Sequence, residues 1–180
     1  MRPTLVLALV LSALIADRYF YVAPKEGARA EAAIVSQIGK AENEIIIAMY
    51  SFTNGSIANA LKAAAKRGVA VTIVIDEKNL RGNLKDSKAG ELAKLRNVEV
   101  KIASGNKAKN GDYYGIMHLK VGVLDEKISV YGSANWTNSA FNVNHEIIFI
   151  DDDPKLAKEI KGYLEPIVKN AKAYRNFAAK

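Results

Sequence analysis

Two short apolar runs do most to restrict the fold of this chain. Glu44 to Ser51 reads EIIIAMYS and Val69 to Ile75 reads VAVTIVI. Each is too short for a helix and too continuously apolar for a strand with one wet face, so each predicts a strand buried on both sides. Between them, Ile57 to Lys66 has helical spacing of its apolar residues. Thr53, Asn54 and Ser56 offer capping oxygens before it, and Arg67-Gly68 ends it. A strand, a helix and a strand in that order predict a parallel pair joined by a right-handed crossover.

The rest of the chain extends the pattern. Ala28 to Lys40 has helical periodicity, with Ala30, Ile34, Val35 and Ile38 on one side. A polar stretch, Glu77 to Ser87, precedes a helix near Ala89 to Arg96 and a third strand, Val98 to Ile102. Met117 to Leu124 and Lys127 to Tyr131 read as a hairpin turning at Asp125-Glu126. His145 to Ile150 is a last strand, and Pro154 opens a C-terminal helix behind the carboxylates of Asp151 to Asp153. The class is α/β, with a mixed, largely parallel central sheet sandwiched by helices.

Residues 1–16, MRPTLVLALVLSALIA, differ in character. Arg2 precedes a stretch from Thr4 to Ala16 that carries no charge. That stretch falls short of the roughly 20 residues of a membrane span, and it suits a signal peptide. Tyr19, Phe20 and Tyr21 follow, as interface residues would follow an uncleaved anchor. The expected organisation is a leader or anchor over 1–23, with residues 4–22 as the anchoring stretch, and one domain over 24–180. Either form places the protein in the periplasm, outside the cell or on the membrane.

Composition narrows the chemistry. The chain of 180 residues has no cysteine, which excludes disulfides, thiolate metal sites and a cysteine nucleophile. Two histidines are too few for a multi-histidine metal site within one chain. There are 26 Lys and Arg against 19 Asp and Glu, a net charge of +7, which favours a polyanionic partner. No metal and no cofactor is expected.

The chemistry concentrates in His118 to Asn135, HLKVGVLDEKISVYGSAN. His118 and Lys120, two apart in a strand, leave the same face. The hairpin returns the chain to Gly132-Ser133-Ala134-Asn135, a tight turn with hydroxyl and amide donors. Imidazole, ammonium, hydroxyl and amide then converge on a point suited to a phosphate-sized anion. Upstream, Lys101, Lys107 and Lys109 are followed by Tyr113 and Tyr114, a mixture of cations and aromatics that suits a single nucleic-acid strand or simply a solvated loop. Trp136 either lines that groove or packs in the core.

The spacing H-x-K-x4-D-x6-G-S-x-N, met at His118, Lys120, Asp125, Gly132, Ser133 and Asn135, resembles the signature of the phospholipase D superfamily. Ser51-Phe52-Thr53, with Ile57, Ala60, Leu61 and Arg67-Gly68-Val69, is similar to that family's N-terminal strand–helix–strand, and Glu146 stands where the family has an acidic residue. The resemblance covers roughly residues 28 to 170 and is strongest to the small single-motif bacterial nucleases, followed by the membrane-anchored mitochondrial relatives. It implies the phospholipase D-like fold and a metal-independent phosphodiesterase working through a phosphohistidine. His118 would be the nucleophile, and Lys120, Ser133 and Asn135 would stabilise the phosphoryl oxygens. Glu146 would orient His118, and Asp125, which closes the hairpin, would give structural or electrostatic support. The mechanism needs a second histidine, and His145 in the context NHEII lacks the motif. The expected enzyme is therefore a homodimer with a composite site. The leading expectation is a non-specific endonuclease acting on DNA or RNA. The alternatives are a phospholipase D-type lipid hydrolase cleaving phosphatidyl or cardiolipin head groups, which the apolar leader would place at a membrane, and an inactive nucleic-acid-binding module.

Overall fold

The computed structural model describes residues 17–175. Along the chain these form β1 (Arg18–Ala23), α1 (Gly27–Lys40), β2 (Glu44–Met49), α2 (Gly55–Arg67), β3 (Ala70–Asp76), α3 (Glu77–Gly82) and α4 (Ala89–Leu92). They continue as β4 (Val98–Ala103), β5 (Lys120–Leu124), β6 (Ile128–Gly132), α5 (Asn138–Asn142), β7 (Glu146–Asp151), α6 (Pro154–Asn170) and β8 (Lys172–Ala173).

The strands make one sheet in the order β1-β7-β6-β5-β2-β3-β4-β8. Within β2, Ile45 and Ile47 face the helices α1 and α2, whereas Ile46 and Ala48 face α6. Burial on both sides explains why this strand reads as an unbroken apolar run. On the α1–α2 face the core is built from Ile34, Ile38, Ile57 and Leu61 packed on Ile45, Ile47, Ile73 and Ile75. On the opposite face, Ala157 and Leu164 of α6 cover Ile46, Ala48, Val74, Val121 and Val123. Helices thus cover both faces, as the sequence predicts. Asn54 caps α2 by accepting from Ile57 N–H, and Gly68 ends that helix with a left-handed φ of 103°.

The share of parallel pairing is smaller than expected. Only β2–β3 and β3–β4 are parallel, and the sheet is mostly antiparallel. The parallel neighbours are joined by crossovers through α2 and through α3 and α4, whereas β5 and β6 are joined by a tight turn and the α5 segment returns β7 antiparallel to β6. The β5–β6 link is a tight turn in which Asp125 and Glu126 have φ of 52° and 54°. Positive φ in the turn is what a tight hairpin requires, and Asp tolerates it.

Three boundaries also shift. Arg18–Ala23, expected in the leader, is strand β1, paired antiparallel with β7 from Arg18↔Asp151 to Ala23↔Glu146. The domain therefore includes these residues, while 1–16 lie outside the described residues. The polar stretch after β3 opens with α3, because Asp76 caps it by accepting from Asn79 N–H. Met117 to Leu119, expected in β5, precede the strand in irregular backbone. They are held by the buried Asp76, which accepts from Met117 N–H at 2.8 Å, and by Tyr50 N–H, which donates to Leu119 O at 2.9 Å.

Candidate active site

Antiparallel pairing gathers the motif at one end of the central strands. Met49 at the end of β2 lies opposite Lys120 at the start of β5, and Val121 lies opposite Tyr131 near the end of β6. Gly132 in turn pairs with Ile148, two residues after Glu146. Val121 and Val123 point toward α6, so Lys120 points to the α1–α2 side. Ile148 and Ile150 belong to the core on that same side, which places Glu146 there too.

Tyr50 is the platform of the cluster. Its ring meets the imidazole of His118 edge-on, with centroids 4.7 Å apart, and Lys120 Nζ lies 5.1 Å from its centroid. Lys120 Nζ also donates to the carbonyl oxygen of His118 at 2.9 Å. Burial pushes the Lys120 ammonium below its usual range, and the charge of Glu146 partly offsets that. His118 itself is exposed, just before the start of β5 at that end of the sheet. Sequence reasoning missed Tyr50, although it ends the apolar run immediately before Ser51.

The turn after β6 has its own geometry. Gly132 has φ of 151°, and a Cβ there would lie 2.1 Å from the carbonyl oxygen of Ile147. Only glycine fits so close to a neighbouring strand. Ser133 N–H donates to Ile147 O at 3.0 Å, and Ser133 Oγ accepts from Ile147 N–H at 3.1 Å while donating to the Glu146 carboxylate. Asn135 Oδ1 accepts from Ser51 N–H at 3.1 Å, which fixes the amide and keeps its NH2 group as a donor. Hydroxyl and amide are thus locked by backbone, as a preorganised anion site requires.

Glu146 joins the cluster by a different contact from the one expected. Its hydrogen-bond partners are Ser133 and Asn144, the latter at 3.3 Å, and not His118 of the same chain. His145 is exposed and has no hydrogen-bond or ionic partner among the described residues. One chain therefore brings a single histidine, His118, to the site.

Three expected site residues have other work. Asp125 lies at the far end of β5, about 17 Å along the strand from Lys120 at ~3.3 Å per residue. Its carboxylate accepts from the backbone N–H groups of Glu42, Asn43 and Glu44 at 2.8, 2.8 and 2.9 Å. Burial opposes its charge, but those three donors outweigh it and hold Asp125 below the usual aspartate value. Asp125 is a staple between the hairpin and the start of β2, and not part of the reacting cluster. Lys101 donates to Val168 O at 2.9 Å and pairs with Glu99 at 3.4 Å, so it anchors α6 rather than facing a substrate. Trp136 is 3% exposed and packs edge-on against Phe52, with centroids 5.6 Å apart, so it belongs to the core. Lys107, Lys109, Tyr113 and Tyr114 are exposed on the loop between β4 and β5, at the same end of the sheet as His118.

Comparison with known proteins accords with this geometry. Residues 34–168 match the family model described as "Cardiolipin synthase, PLD-like domain". A protein named "Phospholipase D" from Rickettsia prowazekii is 34% identical over 125 residues, 69% of this chain and 56% of that protein. A "Mitochondrial cardiolipin hydrolase" of Xenopus laevis is 27% identical over 125 residues, 69% of this chain and 54% of that protein. The chain thus spans about half the length of the curated relatives it matches. Among solved structures, NucT from Helicobacter pylori superposes with a TM-score of 0.84 at 38% identity, covering 88% of this chain and 99% of that one. Nuc from Salmonella typhimurium, a phospholipase D family member, gives 0.73 at 29% identity, covering 89% and 99%. On this match of sequence, fold and motif, the chain belongs to the phospholipase D superfamily of phosphodiesterases.

Proposed function

We propose that the protein is a metal-independent phosphodiesterase that cleaves nucleic acid as a homodimer. The observation that carries this reading is the seating of His118 and Lys120 together on Tyr50, at an exposed end of the sheet with the locked donors of Ser133 and Asn135. His118 attacks phosphorus and expels the leaving oxygen, forming a phosphohistidine. Lys120 and the Asn135 amide stabilise the charge on the non-bridging oxygens, and the Ser133 hydroxyl joins them once its proton turns from Glu146 to the substrate. Water then cleaves the phosphorus–nitrogen bond and restores the imidazole.

The departing oxygen needs a proton, and the attacking water must lose one. With one histidine at the site of each chain, that group is the His118 of a second copy across a twofold axis. The loop with Lys107, Lys109, Tyr113 and Tyr114 beside the site, and the net charge of +7, favour nucleic acid as the polyanion. The resemblance to NucT and Nuc supports the same substrate class. Residues 1–16 suit export, so the setting is periplasmic or extracellular, with retention on the membrane if the segment is not removed.

A second reading, lipid phosphodiester cleavage, draws on the exposed Tyr19 and Phe20 of β1, 49% and 51% accessible, directly after that apolar segment. It also draws on the relatives named for phospholipase D and cardiolipin hydrolase. One assay separates the readings: labelled DNA, RNA and phospholipid vesicles with the full chain and with His118→Ala, all in EDTA. Nucleic-acid cleavage that survives EDTA and disappears in the variant is the expected result. Metal-dependent cleavage would overturn the mechanism, and lipid turnover alone would move the assignment to the second reading.

A further inference from the structure

A groove of about 580 Å³ runs between the loop that follows β4 and the C-terminal end of α6. One wall is formed by Ser104, Lys107 and Tyr114, and the other by Pro166, Ile167 and Lys172. The loop wall is a built element rather than a solvated coil. Gly105 N–H donates to Gly115 O at 2.8 Å, Gly115 N–H to Asn106 O at 2.9 Å and Ala108 N–H to Tyr113 O at 2.8 Å. Lys107 and Tyr114 face each other as a bridge within this small ladder. The two segments approach so closely that a Cβ on Gly105 would lie 2.7 Å from the carbonyl carbon of Gly115. Tyr114 is held with 63% of its surface exposed.

The groove is near the reacting cluster. Tyr114 lies four positions before His118, a reach of at most about 14 Å. The same span follows from the sheet, where β4 lies three strands from β5 at ~4.8 Å each. Charge and surface suit one kind of ligand. Lys107 has no acidic partner among the described residues. Lys172 lies 3.7 Å from Glu77, but that carboxylate also holds Arg81 at 2.8 Å, so cations outnumber it. Pro166 and Ile167 add an apolar surface opposite the tyrosine ring.

We propose that this groove is an extended subsite for single-stranded nucleic acid. A base stacks on Tyr114 against Pro166 and Ile167, and neighbouring phosphates lie on Lys107 and Lys172, while the scissile phosphodiester of the same strand lies at His118. The proposal rests on the nucleic-acid reading above and names the residues by which that site holds its substrate away from the reacting phosphorus. Stacking tolerates any base, so the subsite adds affinity for length and not for sequence.

The test compares a long oligothymidylate with bis(p-nitrophenyl) phosphate, which is too small to reach the groove. For Tyr114→Ala and Lys172→Glu, the ratio of kcat/KM on the oligonucleotide to that on the small diester falls about tenfold. A ratio equal to that of the unaltered protein, or an equal fall on both substrates, overturns the proposal. Fluorescence anisotropy with labelled oligothymidylate on the full-length His118→Ala protein separates this from the cleavage reading. Binding that Tyr114→Ala weakens about tenfold supports the subsite even if the unaltered protein cuts no nucleic acid. Binding indifferent to both substitutions, or no binding at all, overturns it.

Discussion

The ring of Tyr50 meets the imidazole of His118 edge-on at 4.7 Å, and this contact joins the residue after strand β2 to the histidine of the motif, the proposed nucleophile. Tyr50 does not touch the substrate in the proposed mechanism and acts by positioning. Tyr50→Ala therefore lowers kcat on bis(p-nitrophenyl) phosphate by up to about a hundredfold, the scale of a 1 Å misplacement. Tyr50→Phe, which keeps the ring, retains most of kcat. The imidazole NMR resonances of His118 move in Tyr50→Ala and stay in place in Tyr50→Phe, a readout that general destabilisation does not reproduce.

A composite site makes activity depend on pairs of chains. When the unaltered protein is co-refolded with increasing His118→Ala, each mixed dimer of the proposed kind has one His118 and is inactive. Activity then follows the square of the unaltered fraction. A linear dependence on that fraction would show that each chain carries a complete site.

Asp125 tests structure against chemistry within the same motif. Asp125→Ala leaves three backbone N–H groups without their acceptor. Because they are partly exposed to water, the cost is about 1–2 kcal/mol, measured by urea unfolding. The value of kcat stays near that of the unaltered protein at a temperature where both are folded. The sign of the pH effect follows from the lowered pKa of Asp125. The folded protein binds the Asp125 proton less readily than the unfolded chain, so the contribution is present above the ordinary value of 3.8. It is lost as pH falls through the lower folded value, and the stability gap between the two proteins closes there.

Gly132→Ala places a methyl group 2.1 Å from the carbonyl oxygen of Ile147, at a φ of 151°. The turn must open, which moves Ser133 away from Glu146. Strain of this kind costs about 1–3 kcal/mol. The expected result is a lower Tm together with a lower kcat, and an alanine protein with unchanged kcat would show that Ser133 is not held by this turn.

Much of this protein was legible in the order of its residues. The unbroken apolar runs and the helical spacing located β2, α2 and β3 to within two residues, because strands buried on both faces are apolar throughout and amphipathic helices impose their period on apolar side chains. The spacing from His118 to Asn135 likewise located the hairpin and the candidate nucleophile, since the distances within one hairpin are local. What depended on distant residues was not legible. The mostly antiparallel sheet arises from which strands meet, and β1, which follows the apolar run of residues 1–16, is defined by its pairing with β7. The placement of Tyr50 under His118, of Asp125 on the backbone of Glu42 to Glu44, and of Lys101 on Val168 links residues that are 67 to 83 positions apart. Sequence alone therefore determined the local elements and the chemical inventory. Only the tertiary structure decided which of those groups share a site, because hydrogen bonds and ring contacts depend on distance in space and carry no signature in the spacing of the chain.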